Sequence, residues 1–129
     1  MNEADIKRAI VRSVKFAGGY ARRIEDSYAV GLFDLILIPH ELPVFFAEVK
    51  LVRNGRFGPT PRQYVELDHV KQVAGNDSHV IPIMIGWHNH TYYFSNPRPI
   101  IKCVDCFSVT TSDMEFHDQL VQYYHSQKG

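Results

Sequence analysis

A single α/β domain is the fold class this chain predicts, and three observations predict it. A helix-periodic segment opens the sequence, short apolar runs bounded by Gly, Pro and Asn follow, and a capped amphipathic segment falls between those runs rather than after them. The resulting order is helix, three strands, helix, one or two strands and a final helix. The 129 residues fit one domain, 1–129, of a size that can bury a sizeable core.

The elements follow in turn. Ile6, Ala9, Ile10, Val14 and Ala17 recur at helical spacing, with Lys7, Arg8, Arg12 and Lys15 mainly on the remaining surface, and Gly18–Gly19 as the stop, so a helix is predicted over 2–17. Glu3 lies one turn before Ile6 and shares its inward side, an unusual direction for a carboxylate unless something receives it. Tyr20 to Ile24 reads as a short strand. Leu32 to Ile38, "LFDLILI", is apolar on both faces, the pattern of a strand covered by helices on each side. Pro39 and His40 end it, Val44 to Lys50 follows after a short turn, and the pair predicts a hairpin. Arg53 to Pro61 reads as a loop free to move at Gly55 and Gly58.

Thr60 as N-cap, Pro61 in the first position and Gln63 in the third predict a helix over 61–74, stopped at Gly75 and Asn76. Val80 to Ile85 is a strongly apolar strand in which Pro82 marks an end that is not fully paired. Thr91 to Phe94 reads as an edge strand, and Ile100 to Val109 as extended in places. Ser112 and Glu115 form a second capping box, opening a terminal helix that docks through Phe116, Leu120, Val121 and Tyr124. The Pro-containing link at 96–99 is too short to require a domain boundary.

Composition excludes a disordered chain, with 45% hydrophobic and 22% charged residues. Lys+Arg 14 and Asp+Glu 14 cancel, so net charge does not advertise a polyanionic partner. Ten of the fourteen basic residues nevertheless lie in the first 62, and binding depends on where charge sits. Cys103 and Cys106 cannot build a disulfide framework, and neither a signal peptide nor an apolar run of transmembrane length is present; a soluble cytoplasmic protein without a membrane partner is expected.

The chemistry-bearing residues centre on the hairpin. Asp34 interrupts an apolar strand, where an ionised carboxylate is costly unless hydrogen bonds, a cation or water compensate it. In the next strand, alternation puts Val44, Phe46, Glu48 and Lys50 on one face and Phe45, Ala47 and Val49 on the other. Neighbouring hairpin strands bring Asp34 toward Glu48, giving Mg²⁺ two hard oxygen ligands and leaving room for water and phosphate oxygens. Such a cation supports attack of water on phosphorus, with Lys50 orienting that water or holding the scissile phosphate. An isolated Glu-X-Lys is a common solvated strand end, and a lone Asp often caps a turn. The combination with a basic segment downstream and the helix start at Thr60 is what favours chemistry.

"GLFDLILI" followed by "VFFAEVK", a basic Gly-containing loop and "TPRQ" resembles the PD-(D/E)XK nuclease superfamily. Within it, the pattern is similar to the virus-type replication-repair nuclease (VRR-Nuc) domains, found alone in phages or fused to larger proteins. The resemblance covers about residues 3–85, with its centre at Gly31–Gln63. It implies a restriction-endonuclease-like core, a central mixed β-sheet flanked by helices in the order αβββαβ plus C-terminal additions. It also implies cleavage of DNA phosphodiesters dependent on Mg²⁺ or Mn²⁺, and kinship with Holliday junction resolvases, whose twofold dimers cleave paired strands. Branched or four-way-junction DNA and a second copy of the chain are therefore the expected partners.

By this resemblance Asp34 and Glu48 are metal-binding carboxylates, Val49 is counted with them at the metal, and Lys50 is the catalytic lysine. Glu3 corresponds to the additional acid of the first helix, with Glu25 as its rival, and Gln63 to the glutamine that follows the motif on the second helix. Phe33 stands where the family usually has Pro before the first Asp. Gln63 has a second sufficient reason in the capping box with Thr60. Arg53 and Arg56, with Arg22, Arg23 and Arg62, form the expected nucleic-acid-binding set, gripping phosphates without reading bases.

Two signals are weighed lower. The Cys103–Cys106 spacing with His88 and His90 upstream lacks a second tight ligand pair for zinc, so half-buried thiols are expected. Trp87, Tyr92, Tyr93, Phe94, Tyr123 and Tyr124 suit either core packing or a homodimer interface. The predicted function is a metal-dependent DNA endonuclease. A catalytically weak DNA-binding module of the same fold and a hydrolase of small phosphate compounds are the alternatives.

Overall fold

The computed structural model describes residues 1–24, 33–75, 79–110 and 114–128. Helix α1, Glu3–Phe16, begins at Asn2, whose side chain accepts from the Asp5 N–H while the Asp5 carboxylate accepts from the Asn2 N–H. Its buried stripe is Ile6, Ile10 and Val14, the positions that helical spacing selects. Strand β1, Tyr20–Arg23, runs antiparallel to β2, Leu35–Ile38, which is antiparallel in turn to β3, Val44–Leu51. After a two-residue strand β4, Arg56–Phe57, helix α2, Pro61–Ala74, leads into β5, Val80–His88. β5 lies parallel to β3 over its register from Val44↔Val80 to Leu51↔Trp87. A helix joining two parallel neighbours is the connection such a pair requires.

The remaining strands are β6, Thr91–Ser95, β7, Ile101–Lys102, and β8, Phe107–Ser108, followed by helix α3, Phe116–Lys128. The main sheet has the order β1-β2-β3-β5-β6-β8, mixed because only β3 and β5 are parallel, and β4 pairs with β7 in a separate two-stranded sheet. The fold is therefore the central mixed sheet flanked by helices that the sequence predicts.

The sheet separates two apolar clusters. On one face α1 and α3 pack over Leu35, Leu37, Phe45, Ala47, Val49, Ile83 and Ile85. On the other a smaller cluster joins Leu67 of α2 to Met84, Val52, Phe57 and Ile101. Apart from Tyr93, which packs against the second cluster, the aromatic residues of the second half belong to the first: Phe94 stacks on Tyr123 at 5.5 Å between centroids, and Phe116 packs on both Phe94 and Tyr92. That resolves most of the aromatic share as core. The amino end of α3 is held across the fold, since the His117 N–H donates to Ser13 Oγ of α1 at 3.0 Å.

Several expectations shift. The run Leu35–Ile38 is fully covered on one side only; Leu35 and Leu37 are buried while Ile36 and Ile38 are half-exposed. Phe33 stacked on Phe46 at 4.3 Å shields part of the second side. β6 is not an edge, because β8 pairs with it at Tyr93↔Ser108 and Phe94↔Phe107. Pairing of β6 with β5 begins at Met84, so Pro82 precedes the two-sided part of β5, where its missing N–H costs nothing in that ladder. Tyr123 rather than Val121 is buried on α3. Glu25, Leu32, Ser112 and the helix stop at Asn76 lie outside the described residues.

Candidate active site

The register of the hairpin builds the site. Its last pair is Leu35↔Ala47, yet β3 continues through Glu48, Val49, Lys50 and Leu51, so β3 runs on past the start of β2. Odd-numbered residues of β3 present their main-chain groups to that side, as the bond from the Asp34 N–H to the Ala47 carbonyl at 2.9 Å shows. The next such donor is the Val49 N–H, and it donates to Asp34 Oδ2 at 3.0 Å. Asp34 thus has a local structural reason: its carboxylate substitutes for the missing strand partner. Val49 itself buries its isopropyl group in the core, so only its carbonyl, on the same edge as that N–H, can offer an oxygen to a cation.

Asp34 carries a second partner. Lys7 Nζ reaches from α1 to within 3.0 Å of Asp34 Oδ1, with the two side chains only 17% and 18% exposed. Lys7 belongs to no expected set. Its signal in the sequence is its place one residue after Ile6 and four after Glu3, on the margin of the buried stripe, where a long stem can lie along apolar surface and deliver its charge elsewhere.

Glu48 is completely buried on the opposite face of β3 from Val49. Neither Oε1 nor Oε2 has a hydrogen-bond partner among the described residues. Burial away from water, then the nearby Asp34 carboxylate, push its pKa from 4.5 up to about 9, against a weaker pull from Lys50 and Lys7; a close carboxyl–carboxylate contact with Asp34, outside hydrogen-bonding geometry, adds a smaller push upward. A fully buried carboxyl with both oxygens unspent, beside a second carboxylate, is a costly arrangement for a structural residue. It suits a hard divalent cation, which supplies the missing partner and offsets the repulsion together.

Lys50 shares the Glu48 face, half-exposed, and pairs in register with Gly86 of β5. Gly86 matters by what lies over it. A Cβ at this position would come within 2.7 Å of the Phe57 ring, so glycine lets β4 settle directly against the sheet beside Lys50.

The segment after Lys50 is a built hairpin rather than a free loop. Arg53 and Arg56 exchange both main-chain bonds, at 2.8 and 3.0 Å, around Asn54 and Gly55 with φ of 53° and 70°. Positive φ at both central residues is the type I′ geometry that Asn-Gly favours. The Gly55 carbonyl accepts from the Cys103 N–H at 2.9 Å, and β4 pairs with β7 at Arg56↔Lys102, which fixes the hairpin to the body. Arg53, Arg56 and Lys102 are all exposed. Facing like charges destabilise a ladder, so three cations on successive pairings make sense where a polyanion neutralises them. Lys102 was not among the expected residues; the Asn-Gly turn was the signal that the chain folds back.

The other expected residues are distributed as follows. Arg22 is exposed on the Ile36 side of the sheet edge, and Arg23 is half-buried opposite Leu35. The next residue, Ile24, donates its N–H to the Asp34 carbonyl at 2.8 Å, so this arginine pair ends near the acids. Arg62 is exposed in the first turn of α2. Gln63 Oε1 accepts from the Thr60 N–H at 2.9 Å while Thr60 Oγ1 accepts from the Gln63 N–H, closing the capping box. Glu3 is half-exposed in the first turn of α1. Among the described residues no three His, Cys, Asp or Glu side chains gather as a metal-holding group, so Asp34 and Glu48 are not joined by Glu3. Cys103 and Cys106 are free thiols, the latter pushed up to about 11 by burial first and by its thiol neighbour next.

No protein-family model and no curated protein matches the sequence. Among solved structures the chain is similar to the 1.6 Å structure of Hjc from Archaeoglobus fulgidus, described as a Holliday junction resolvase from an archaeal hyperthermophile. The TM-score is 0.54 at 12% identity, with 92% of this chain and 98% of that chain covered. At that identity the likeness shows a shared fold. Among the described residues no helix is long and apolar enough to cross a membrane.

Proposed function

We propose that this protein is a metal-dependent DNA endonuclease of the PD-(D/E)XK type, acting on branched DNA such as a four-way junction. The observation that carries the reading is Glu48, wholly buried beside Asp34 with neither carboxyl oxygen hydrogen-bonded among the described residues, on the strand face that also presents Lys50. The fold shared over nearly the full length of an archaeal Holliday junction resolvase supports it.

In this reading Asp34, Glu48 and the Val49 carbonyl hold Mg²⁺, for which Mn²⁺ substitutes. The ion would supply Lewis-acid stabilisation of charge on the scissile phosphate and lower the pKa of a nucleophilic water. The chain's own residues do the rest. Lys50 places a positive charge at the mouth of the acid pair, where it orients a phosphate oxygen or the attacking water. Arg53, Arg56 and Lys102 grip the phosphate backbone beyond it, with Arg22, Arg23 and Arg62 as further contacts, so the duplex is held by shape and charge rather than sequence. Glu3 and Gln63 would take supporting roles from outside the acid pair, since Glu3 does not gather with it and Gln63 Oε1 is held by the Thr60 N–H. A homodimer would present two such sites for paired cuts.

The test is cleavage of end-labelled junction, flap, single-stranded and duplex DNA with Mg²⁺, Mn²⁺ or EDTA. Metal-dependent cutting of the junction, lost in Glu48→Ala and Lys50→Ala, is expected. Tight binding without cutting in either metal would instead support a DNA-binding module of the same fold.

A further inference from the structure

The Lys7–Asp34 pair has a consequence for how the acid pair is loaded, and it rests on the nuclease reading above. Both Asp34 oxygens are engaged, Oδ2 by the Val49 N–H and Oδ1 by Lys7 Nζ, each at 3.0 Å. Neither Glu48 oxygen has a hydrogen-bond partner among the described residues. The structure is thus half prepared for a cation: the Glu48 carboxyl group is left for the ion while the Asp34 carboxylate is neutralised from within the chain. Lys7 is no incidental surface contact, because its side chain is 17% exposed and it is near enough to Glu48 to act on that carboxyl as well.

A divalent ion shared by Asp34 and Glu48 would stand a few ångströms from this ammonium. Like charges this close repel strongly in a partly buried site, and a dication repels an ammonium twice as strongly as a single charge does. Lys7 and the ion therefore compete for the same negative charge. The lysine has a way out: it is anchored in α1 and its stem is flexible, whereas Asp34 is pinned by the Val49 N–H.

We infer that Lys7 is a displaceable internal counter-cation: it holds Asp34 in the metal-free protein, yields Oδ1 when the divalent ion arrives, and thereby sets the metal concentration at which the site fills. Lys7 is a positioning residue in this scheme, acting on substrate only through the acid pair. Its removal leaves Asp34 accessible but the metal-free acid pair uncompensated.

The test is calorimetric titration of Ca²⁺ and Mn²⁺ into the full chain without DNA, comparing the unaltered protein with Lys7→Met and Lys7→Arg. Lys7→Met should bind both ions at least about tenfold more tightly, because the competing ammonium is gone while both carboxyl groups remain. Its melting temperature in EDTA should fall while its gain on adding Mn²⁺ grows. Lys7→Arg, which keeps the charge, should stay near the unaltered affinity. If Lys7→Met does not fold, the ζ-ammonium resonance of Lys7 in the unaltered protein gives the same answer, since Ca²⁺ should abolish its protection from exchange. Equal or weaker metal affinity in Lys7→Met, or a Lys7 resonance unmoved by saturating Ca²⁺, would overturn the inference while leaving the nuclease reading intact. Failure of the unaltered protein to bind either ion would overturn both.

Discussion

The Val49 N–H donates to Asp34 Oδ2 at 3.0 Å, where β3 runs past the start of β2. One bond therefore closes a strand edge and fixes a carboxylate beside Glu48. Replacing Asp34 by Ala should remove cleavage and also destabilise the fold by about 1–3 kcal/mol, because a buried donor and the Lys7 ammonium lose their acceptor together. Asp34→Asn keeps an oxygen for Val49 and should regain much of that stability while remaining inactive. Urea unfolding in EDTA separates the two; equal stability of both variants would contradict a structural share for Asp34.

Glu48 gives the metal-free protein a distinctive pH response. Its folded pKa of about 9 lies above the 4.5 of an ordinary carboxyl, so the folded state keeps a proton that the unfolded chain releases. The stabilisation is complete below about pH 4.5 and is lost as pH rises through about 9. Stability in EDTA should therefore decline from pH 5 to 9 by on the order of several kcal/mol. Glu48→Gln should flatten that decline and be the more stable protein at pH 8.5. A profile in which the unaltered protein gains stability toward pH 9 would place Glu48 in a different electrostatic setting.

Much of this arrangement is legible in the sequence because alternation and capping are local rules. Glu48 and Lys50 two apart on an extended run share a face by geometry, and Thr60-Pro-Arg-Gln fixes the start of α2 at Pro61. What sequence reading misses depends on contacts distant in the chain. Lys7 looks like one more surface lysine until the sheet brings Asp34 under α1, 27 positions on. Lys102 joins the basic ladder only because β7 pairs with β4, and two-residue strands leave no periodicity to read. The Asn54–Gly55 turn was readable, and the Gly and Pro residues around it masked a hairpin as a loop.

The cation ladder on that hairpin predicts a salt-dependent grip. Each phosphate contact removed should flatten the dependence of log affinity on log salt by about 0.9 for duplex DNA. Neutralising Arg53, Arg56 and Lys102 together should therefore reduce the slope by up to about 3 and weaken junction and duplex binding alike. Binding isotherms from low to physiological salt read both effects. An unchanged slope would remove the hairpin from the interface.

Gly86 links the hairpin to the catalytic strand. Gly86→Ala forces the Phe57 ring away from a Cβ that would lie 2.7 Å from it, so a loss of about 1–3 kcal/mol is expected. DNA affinity should fall with it, since Arg56 is displaced along with its neighbour. Adding Phe57→Leu should restore part of the stability by making room. A Gly86→Ala protein of unaltered stability and affinity would show that β4 does not depend on this close approach.

Crystals soaked in Mn²⁺ and measured at its absorption edge locate the ion by its own scattering. An anomalous peak between the carboxyl groups of Asp34 and Glu48, with the Val49 carbonyl in its coordination and Lys7 moved off Asp34, is the predicted result. Density at those carboxylates that remains free of anomalous signal at saturating Mn²⁺, or a peak held by other residues, would contradict it.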